Sequence, residues 1–305
     1  MASIPPLRGI PPRPRLALAV GSGGVRSAAA LGLAEVLAES GLRPEAIAGC
    51  GSGALVAAAI ALGFERDRSL ALAACAWSAR IARRTHWRSW WQLVAPRLAG
   101  FDEEFALRDD RLLLGELGKA FGGKRLEELP IPLRVAATDA ATGRAVAIRQ
   151  GSVVNALRAS AATPLLHRGA DVEGRRLVDG ALSDPLALGA LDDAPVVIAM
   201  GFTGIVPRCI DRPSQLVGQA ATTVVNNLLL AKLEAARASG RCIVYLEPRF
   251  DRHVGRWETS ALAEMHEIGR EMARGRVGEI RRLVEGAVSM ATQPSRFPFP
   301  PRIHL

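Results

Sequence analysis

Aromatic residues make up only 5% of the 305-residue chain, with a single tyrosine, Tyr245. A core in such a chain has to be filled with Ala, Val, Leu and Ile, as in helix-covered parallel sheets. Lysine is nearly absent, with Lys119, Lys124 and Lys232 the only ones among 39 basic residues. Cys50, Cys75, Cys209 and Cys242 show no paired spacing, which argues against a disulfide framework or a cysteine zinc site and for a reduced, cytoplasmic compartment. His86, His167, His253, His266 and His304 stand in no motif, so neither a metal site nor a cofactor is expected. The formal charge is +9, yet no block of like charge and no nucleic-acid motif accompanies it, so nucleic acid is not expected as a partner. Met1 to Arg15 carries five prolines and no apolar segment of the kind a signal peptide needs. Ala46 to Phe64 is nineteen residues without a charge, but Gly49, Gly51 and Gly53 suit a strand, a turn and a buried helix better than a membrane span.

What is present is the balance of a globular protein with a sizeable core, 49% hydrophobic and 23% charged. Arg15 to Val20 is an apolar run that stops at Gly21-Ser22-Gly23-Gly24, and a helix is expected over Ala28 to Glu39. Ala46 to Ala48 reads as a second strand, Gly49 to Gly53 as a tight turn and Ala54 to Gly63 as a helix. Leu133 to Thr138 and Arg144 to Arg149 read as paired strands and Val153 to Ala161 as a helix, with a turn-rich segment then leading to Val178-Asp179-Gly180. Pro195 to Met200 and Cys242 to Leu246 read as strands around a long helical stretch, Gln215 to Ala238, and Arg256 to Val288 reads as an amphipathic helical end. Strands alternating with helices give an α/β layered fold.

Two glycine-rich loops, each between a strand and a helix, aim backbone N–H groups at one place, an arrangement suited to an anion or a developing oxyanion. A dinucleotide fingerprint fits poorly, because Arg26 stands where its third glycine belongs and the second strand does not end in an acidic residue.

Four blocks carry a more specific signal: Ser22-Gly23-Gly24-Val25-Arg26, Ile47 to Leu55, Arg158 to Pro164 and Val178-Asp179-Gly180-Ala181. In this order, with Ala137-Thr138-Asp139 and Thr142-Gly143 between them, the chain from Leu16 to Met200 resembles the patatin-like phospholipases. That resemblance implies a three-layer fold, a mainly parallel sheet with helices on both faces. It implies residues 15–290 as one domain, with core motifs in 16–200 and a C-terminal extension in 201–290, between a proline-rich N-terminus (1–14) and a proline-rich tail (291–305). It also implies hydrolysis of phospholipid or neutral-lipid acyl esters by a Ser-Asp dyad. Asp179 fits the base, Gly23, Gly24 and Val25 the N–H groups of an oxyanion hole, and Arg26 the arginine of that loop.

The family's elbow reads Gly-x-Ser-x-Gly, whereas Gly49 to Gly53 reads Gly-Cys-Gly-Ser-Gly, so Gly51 holds the nucleophile position. Sliding the motif to make Ser52 the nucleophile would flank it with Cys50 and Ala54, and Ser52 would project about 100° away from the elbow residue. Glycine tolerates the strained elbow angle at no steric cost but removes covalent catalysis. In the first loop, Ser22 stands out of order and Ser27 replaces a glycine of the family pattern. Three accounts follow: an acyl hydrolase altered at position 51, a pseudoenzyme that binds lipid or a protein partner, or catalysis by a substituted group.

Trp77, Trp87, Trp90 and Trp91 are interleaved with Arg80, Arg83, Arg84 and Arg88. Such a segment suits a lipid headgroup layer, with Trp87, Trp90, Trp91, Arg84 and Arg88 as membrane contacts, or else a helix packing its tryptophans on the core.

Overall fold

The computed structural model describes residues 15–292 except 83, 84, 86, 207–209, 251, 253 and 256. In chain order the elements begin with β1 (Leu16–Val20), α1 (Ala29–Glu39), β2 (Ala46–Cys50), α2 (Ser52–Ala61), α3 (Arg66–Ala76), α4 (Ala79–Ala82), α5 (Trp87–Val94) and α6 (Arg111–Phe121). They continue with β3 (Leu133–Asp139), β4 (Ala145–Ile148), α7 (Val153–Ala161), β5 (Ala170–Val172), β6 (Arg175–Asp179), β7 (Val196–Met200), α8 (Pro213–Ala238), β8 (Cys242–Leu246), α9 (Leu262–Arg274) and α10 (Val277–Thr292).

Eight strands form one sheet, with β3, β2, β1, β7 and β8 parallel and β4, β5 and β6 antiparallel at one side. Strand alternation sorts the small aliphatic residues into two layers. Leu16, Leu18, Val20 and Ile47 point to the face covered by α1, α2, α7 and α9. Ala17, Ala19, Ala46, Ala48 and Ala199 point to the other face, where Leu186, Leu188, Leu191 and the end of α8 lie close. Alanine strands let a short 3₁₀ segment, Leu188–Leu191, pack directly on the sheet, which is why so few aromatics suffice.

Three expectations need correction. The turn is tighter than Gly49 to Gly53, because β2 runs through Cys50 and α2 begins at Ser52, leaving Gly51 alone between them. The turn-rich segment before Asp179 contains a hairpin, β5 and β6, whose short strands of three and five residues carry too little apolar alternation to be read from sequence. The helical end is two helices, since α9 stops at Arg274 before Gly275. Residues 1–14 and 293–305 lie outside the described residues.

Topology brings the two principal blocks together. β4 occupies one edge of β3 at 135–138, so β2 and β6 must share the other edge. β2 pairs up to Cys50↔Ala136, and β6 takes over at Asp179↔Ala137. Asp179 therefore sits just beyond the end of β2, at the elbow.

Candidate functional site

Gly51 is held at φ 56° and ψ −123°, a backbone conformation that side-chain-bearing residues rarely adopt. Its N–H donates to Ser160 Oγ (2.8 Å), and Ser160 in turn donates to the Ala136 carbonyl (2.6 Å), which locks the elbow to α7 and β3. Gly53 lets α2 start against the first loop, since any side chain there would run into the carbonyl oxygens of Val20 and Gly21.

A side chain at position 51 would point at Asp179, with its Cβ 3.8 Å from Asp179 Oδ1. The same Cβ would lie only 2.6 Å from Ser22 Oγ and 3.0 Å from Ser22 Cβ. The room that a side chain at position 51 would need is taken by the Ser22 hydroxyl from the opposite loop. Ser22 is thus the residue that sequence reasoning noticed as out of order without finding its place.

The first loop closes around a second hydroxyl. Ser52 Oγ accepts hydrogen bonds from the Gly23 N–H (3.0 Å) and the Gly24 N–H (2.8 Å), and lies 3.0 Å from Ser27 Oγ and 3.5 Å from Ser22 Oγ. Ser27 Oγ also accepts from the Gly23 N–H (3.0 Å) and reaches the Gly21 carbonyl at 3.4 Å. With its two lone pairs facing two N–H groups, Ser52 can donate its own proton to Ser27, which can donate onward to Gly21. Two backbone N–H groups converging on one oxygen would suit an oxyanion, but here that oxygen belongs to the chain itself. The Val25 side chain is buried in the core.

Asp179 is held from three elements. Its Oδ2 accepts from Thr163 Oγ1 (2.7 Å), its Oδ1 from the Ala181 N–H (2.9 Å), and its carbonyl from Thr138 Oγ1 (2.8 Å). Arg26 donates from Nε to the Gly23 carbonyl (3.3 Å) and from Nη1 to the Thr203 carbonyl (3.0 Å), and lies near the Phe202 and Phe250 rings. Arg26 thereby ties the glycine loop to the segment after β7. Thr138, Ser160 and Thr163 were not singled out in sequence as site residues, although all three fall inside the quoted blocks.

Cys50 is no substitute nucleophile. It is fully buried on the alanine face, and burial, followed by the charges of Asp179 and Asp184, pushes its thiol well above the ordinary value of 9.0. The reactive thiolate form is thereby suppressed.

The tryptophan segment forms α5 at the flank of the site. Ser89 is buried and donates to the Ala106 carbonyl (2.6 Å), while Trp90 and Trp91 are 58% and 60% exposed. The Leu107 and Arg108 N–H groups donate to the carbonyls of Leu165 and Leu166, next to Thr163, so α5 belongs to the Asp179 side of the site. Trp77 is buried. Arg84 and the side chains of Trp87 and Arg88 lie outside the described residues. Among the described residues no helix is long and apolar enough to cross a membrane, and no group of His, Cys, Asp and Glu is placed to hold a metal ion.

A family model described as patatin-like phospholipase matches residues 18–192, more than half of the chain. An uncharacterized NTE family protein of Mycobacterium tuberculosis and one of Mycobacterium bovis are each 34% identical to this chain over 193 residues, 63% of this chain and 50% of theirs. The match thus spans about half the length of these curated relatives. Among solved structures, VipD from Legionella pneumophila aligns with a TM-score of 0.42 and 13% identity, over 90% of this chain and 67% of its own. The type III effector protein ExoU aligns with a TM-score of 0.36 and 12% identity, over 87% and 54%. Similarities this distant carry no weight for chemistry.

Proposed function

The chain belongs to the patatin-like phospholipase family, and from that premise we propose that it holds an acyl-ester lipid beside Gly51 and Asp179 without hydrolysing it. One observation carries this reading: Ser52 Oγ occupies both the Gly23 and Gly24 N–H groups, next to an elbow whose residue has no side chain. In the family mechanism a serine at the elbow would attack the ester carbonyl, Asp179 would take its proton, and the loop N–H groups would stabilise the oxyanion. Here the attacking oxygen is absent at position 51. A developing oxyanion would also have to displace Ser52, giving up two hydrogen bonds worth about 1 kcal/mol each. The pseudoenzyme account from the sequence is therefore preferred over catalysis by a substituted group.

A second reading is favoured by Ser22 alone. Its Oγ lies where the elbow side chain would be, so it could serve as a displaced nucleophile with Asp179 as base.

Hydrolysis of a chromogenic short-chain ester separates the two. The proposal expects no turnover by the natural chain and turnover by the triple variant Ser22→Gly, Gly51→Ser, Ser52→Ala, which clears the elbow, restores the serine and frees the N–H groups. Gly51→Ser alone is expected to stay inactive, because its Cβ would press on Ser22. Turnover by the natural chain that disappears in Ser22→Ala would overturn the proposal in favour of the second reading. We also read α5, through Trp90 and Trp91, as a lipid-facing element, with Trp87, Arg84 and Arg88 as its expected neighbours.

A further inference from the structure

The helix between β7 and β8 turns an apolar stripe of its N-terminal half toward water. α8 has 26 residues, about 39 Å of helix, whereas the five-residue strand it follows spans about 17 Å. Its buried residues, Leu229, Leu233 and Ala236, all lie in its last ten positions, so only the C-terminal part packs on the sheet. Because β8 runs parallel to β7, α8 must return from the site end of the sheet, and its N-terminal half is the part that overhangs there.

At the edge of the packed part, Asn226 clasps Gly204, accepting from its N–H (2.8 Å) and donating to its carbonyl (2.9 Å). Gln215, Gln219, Thr222 and Asn226 recur at helical spacing and are half-buried, and of these Thr222 and Asn226 lie against Gly204. Leu216, Val217, Ala220, Ala221 and Val224 form the opposite stripe and are exposed, Val217 by 67% and Val224 by 64%. From Pro213 to Ala231 there is no charged residue. An apolar stripe turned outward leaves its hydrophobic burial unrealised until something apolar covers it.

We propose that the overhang of α8 is one of two feet by which the protein docks on an anionic lipid bilayer, the other being α5. The choice of occupant rests on the lipid reading of the site and on three observations. The two elements connect to different sides of the candidate site. α5 connects to Asp179 through residues 106–108, 165–166 and Thr163, whereas α8 connects to the glycine loop through Gly204, Thr203 and Arg26. Exposed Leu165 and Leu182 flank Thr163 and Asp179 in sequence between the two feet, and exposed Ile205 and Ile210 lead into α8. The formal charge of +9 complements an anionic surface, and exposed tryptophans suit its headgroup layer.

Co-sedimentation with vesicles of phosphatidylcholine, with and without phosphatidylglycerol, tests this. The natural chain is expected to bind the anionic vesicles preferentially. Val217→Asp with Val224→Asp is expected to lower partitioning by about tenfold or more, as is Trp90→Ser with Trp91→Ser, and the two pairs together to abolish it. These positions are exposed, so unchanged circular dichroism and melting temperature check that the variants fold. Capture of a monomeric soluble ester reports the site separately, so failure of the lipid site and failure of the feet are distinguishable. The proposal is overturned if the α8 variant partitions like the natural chain, or if the natural chain ignores every vesicle. It is equally overturned if the α8 substitutions only convert a dimer into a monomer, since the stripe then belongs to a second copy.

Discussion

The loop after β1 and the elbow after β2 face each other across the site, and they differ in what they present there. The elbow keeps its backbone: Gly51 at φ 56°, its N–H on Ser160, and Gly53 pressed against the first loop. Its position 51 carries no side chain, and the hydroxyl next door, Ser52, is turned away into the first loop. The first loop has convergent N–H groups, but Ser52 Oγ occupies them, Ser27 backs that contact, and Ser22 fills the room that a side chain at position 51 would need. Backbone shape is demanded by the fold, because α2 cannot start in the right place without it. Side chains are demanded only by chemistry, and in the reading proposed above the hydroxyls no longer meet that demand.

The comparison can be broken or sharpened in order of expected size. Rearranging the hydroxyls, with Ser22→Gly, Gly51→Ser and Ser52→Ala together, should bring ester hydrolysis about 10³-fold above the uncatalysed background, roughly 4 kcal/mol of transition-state stabilisation. If backbone and side chains were not separable in this way, the triple variant would stay silent. Gly53→Ala should instead strike the fold, costing about 3 kcal/mol or more, seen as a lowered denaturation midpoint, because its methyl meets the Val20 and Gly21 carbonyls. Ser160→Ala should cost about 1–3 kcal/mol by leaving the Gly51 N–H and the Ala136 carbonyl unpaired, with no effect on vesicle binding.

The smallest effect concerns Cys50. In the native chain it should resist maleimide while exposed Cys75 reacts, as read by peptide mass mapping. Its folded thiol titrates above the unfolded one, so the stability it contributes is complete below pH 9.0 and is lost as pH rises toward the folded value. Cys50→Ala should flatten that alkaline loss, by at most about 1.4 kcal/mol per pH unit.

Much of this was legible in the letters. The β1 and β2 runs, the two glycine loops, α7 and the position of Asp179 all follow from apolar periodicity and ordered blocks, because local pattern decides them. The β5–β6 hairpin was not, since Arg175-Arg176-Leu177-Val178-Asp179 reads as a turn approach until β3 changes partner between Ala136 and Ala137. Ser22 could be seen as out of order, but that it fills the space of residue 51 is a relation between two loops thirty residues apart. The outward stripe of α8 was also hidden, because periodicity reveals that a helix has two faces without saying which one meets the protein.

Serine-directed labelling tests the central claim most directly. The natural chain would be incubated with a fluorophosphonate and its intact mass measured beside that of the triple variant. The account predicts an unmodified natural chain and a variant carrying one phosphonyl adduct on residue 51. A stoichiometric adduct on Ser22 or Ser52 of the natural chain would contradict it.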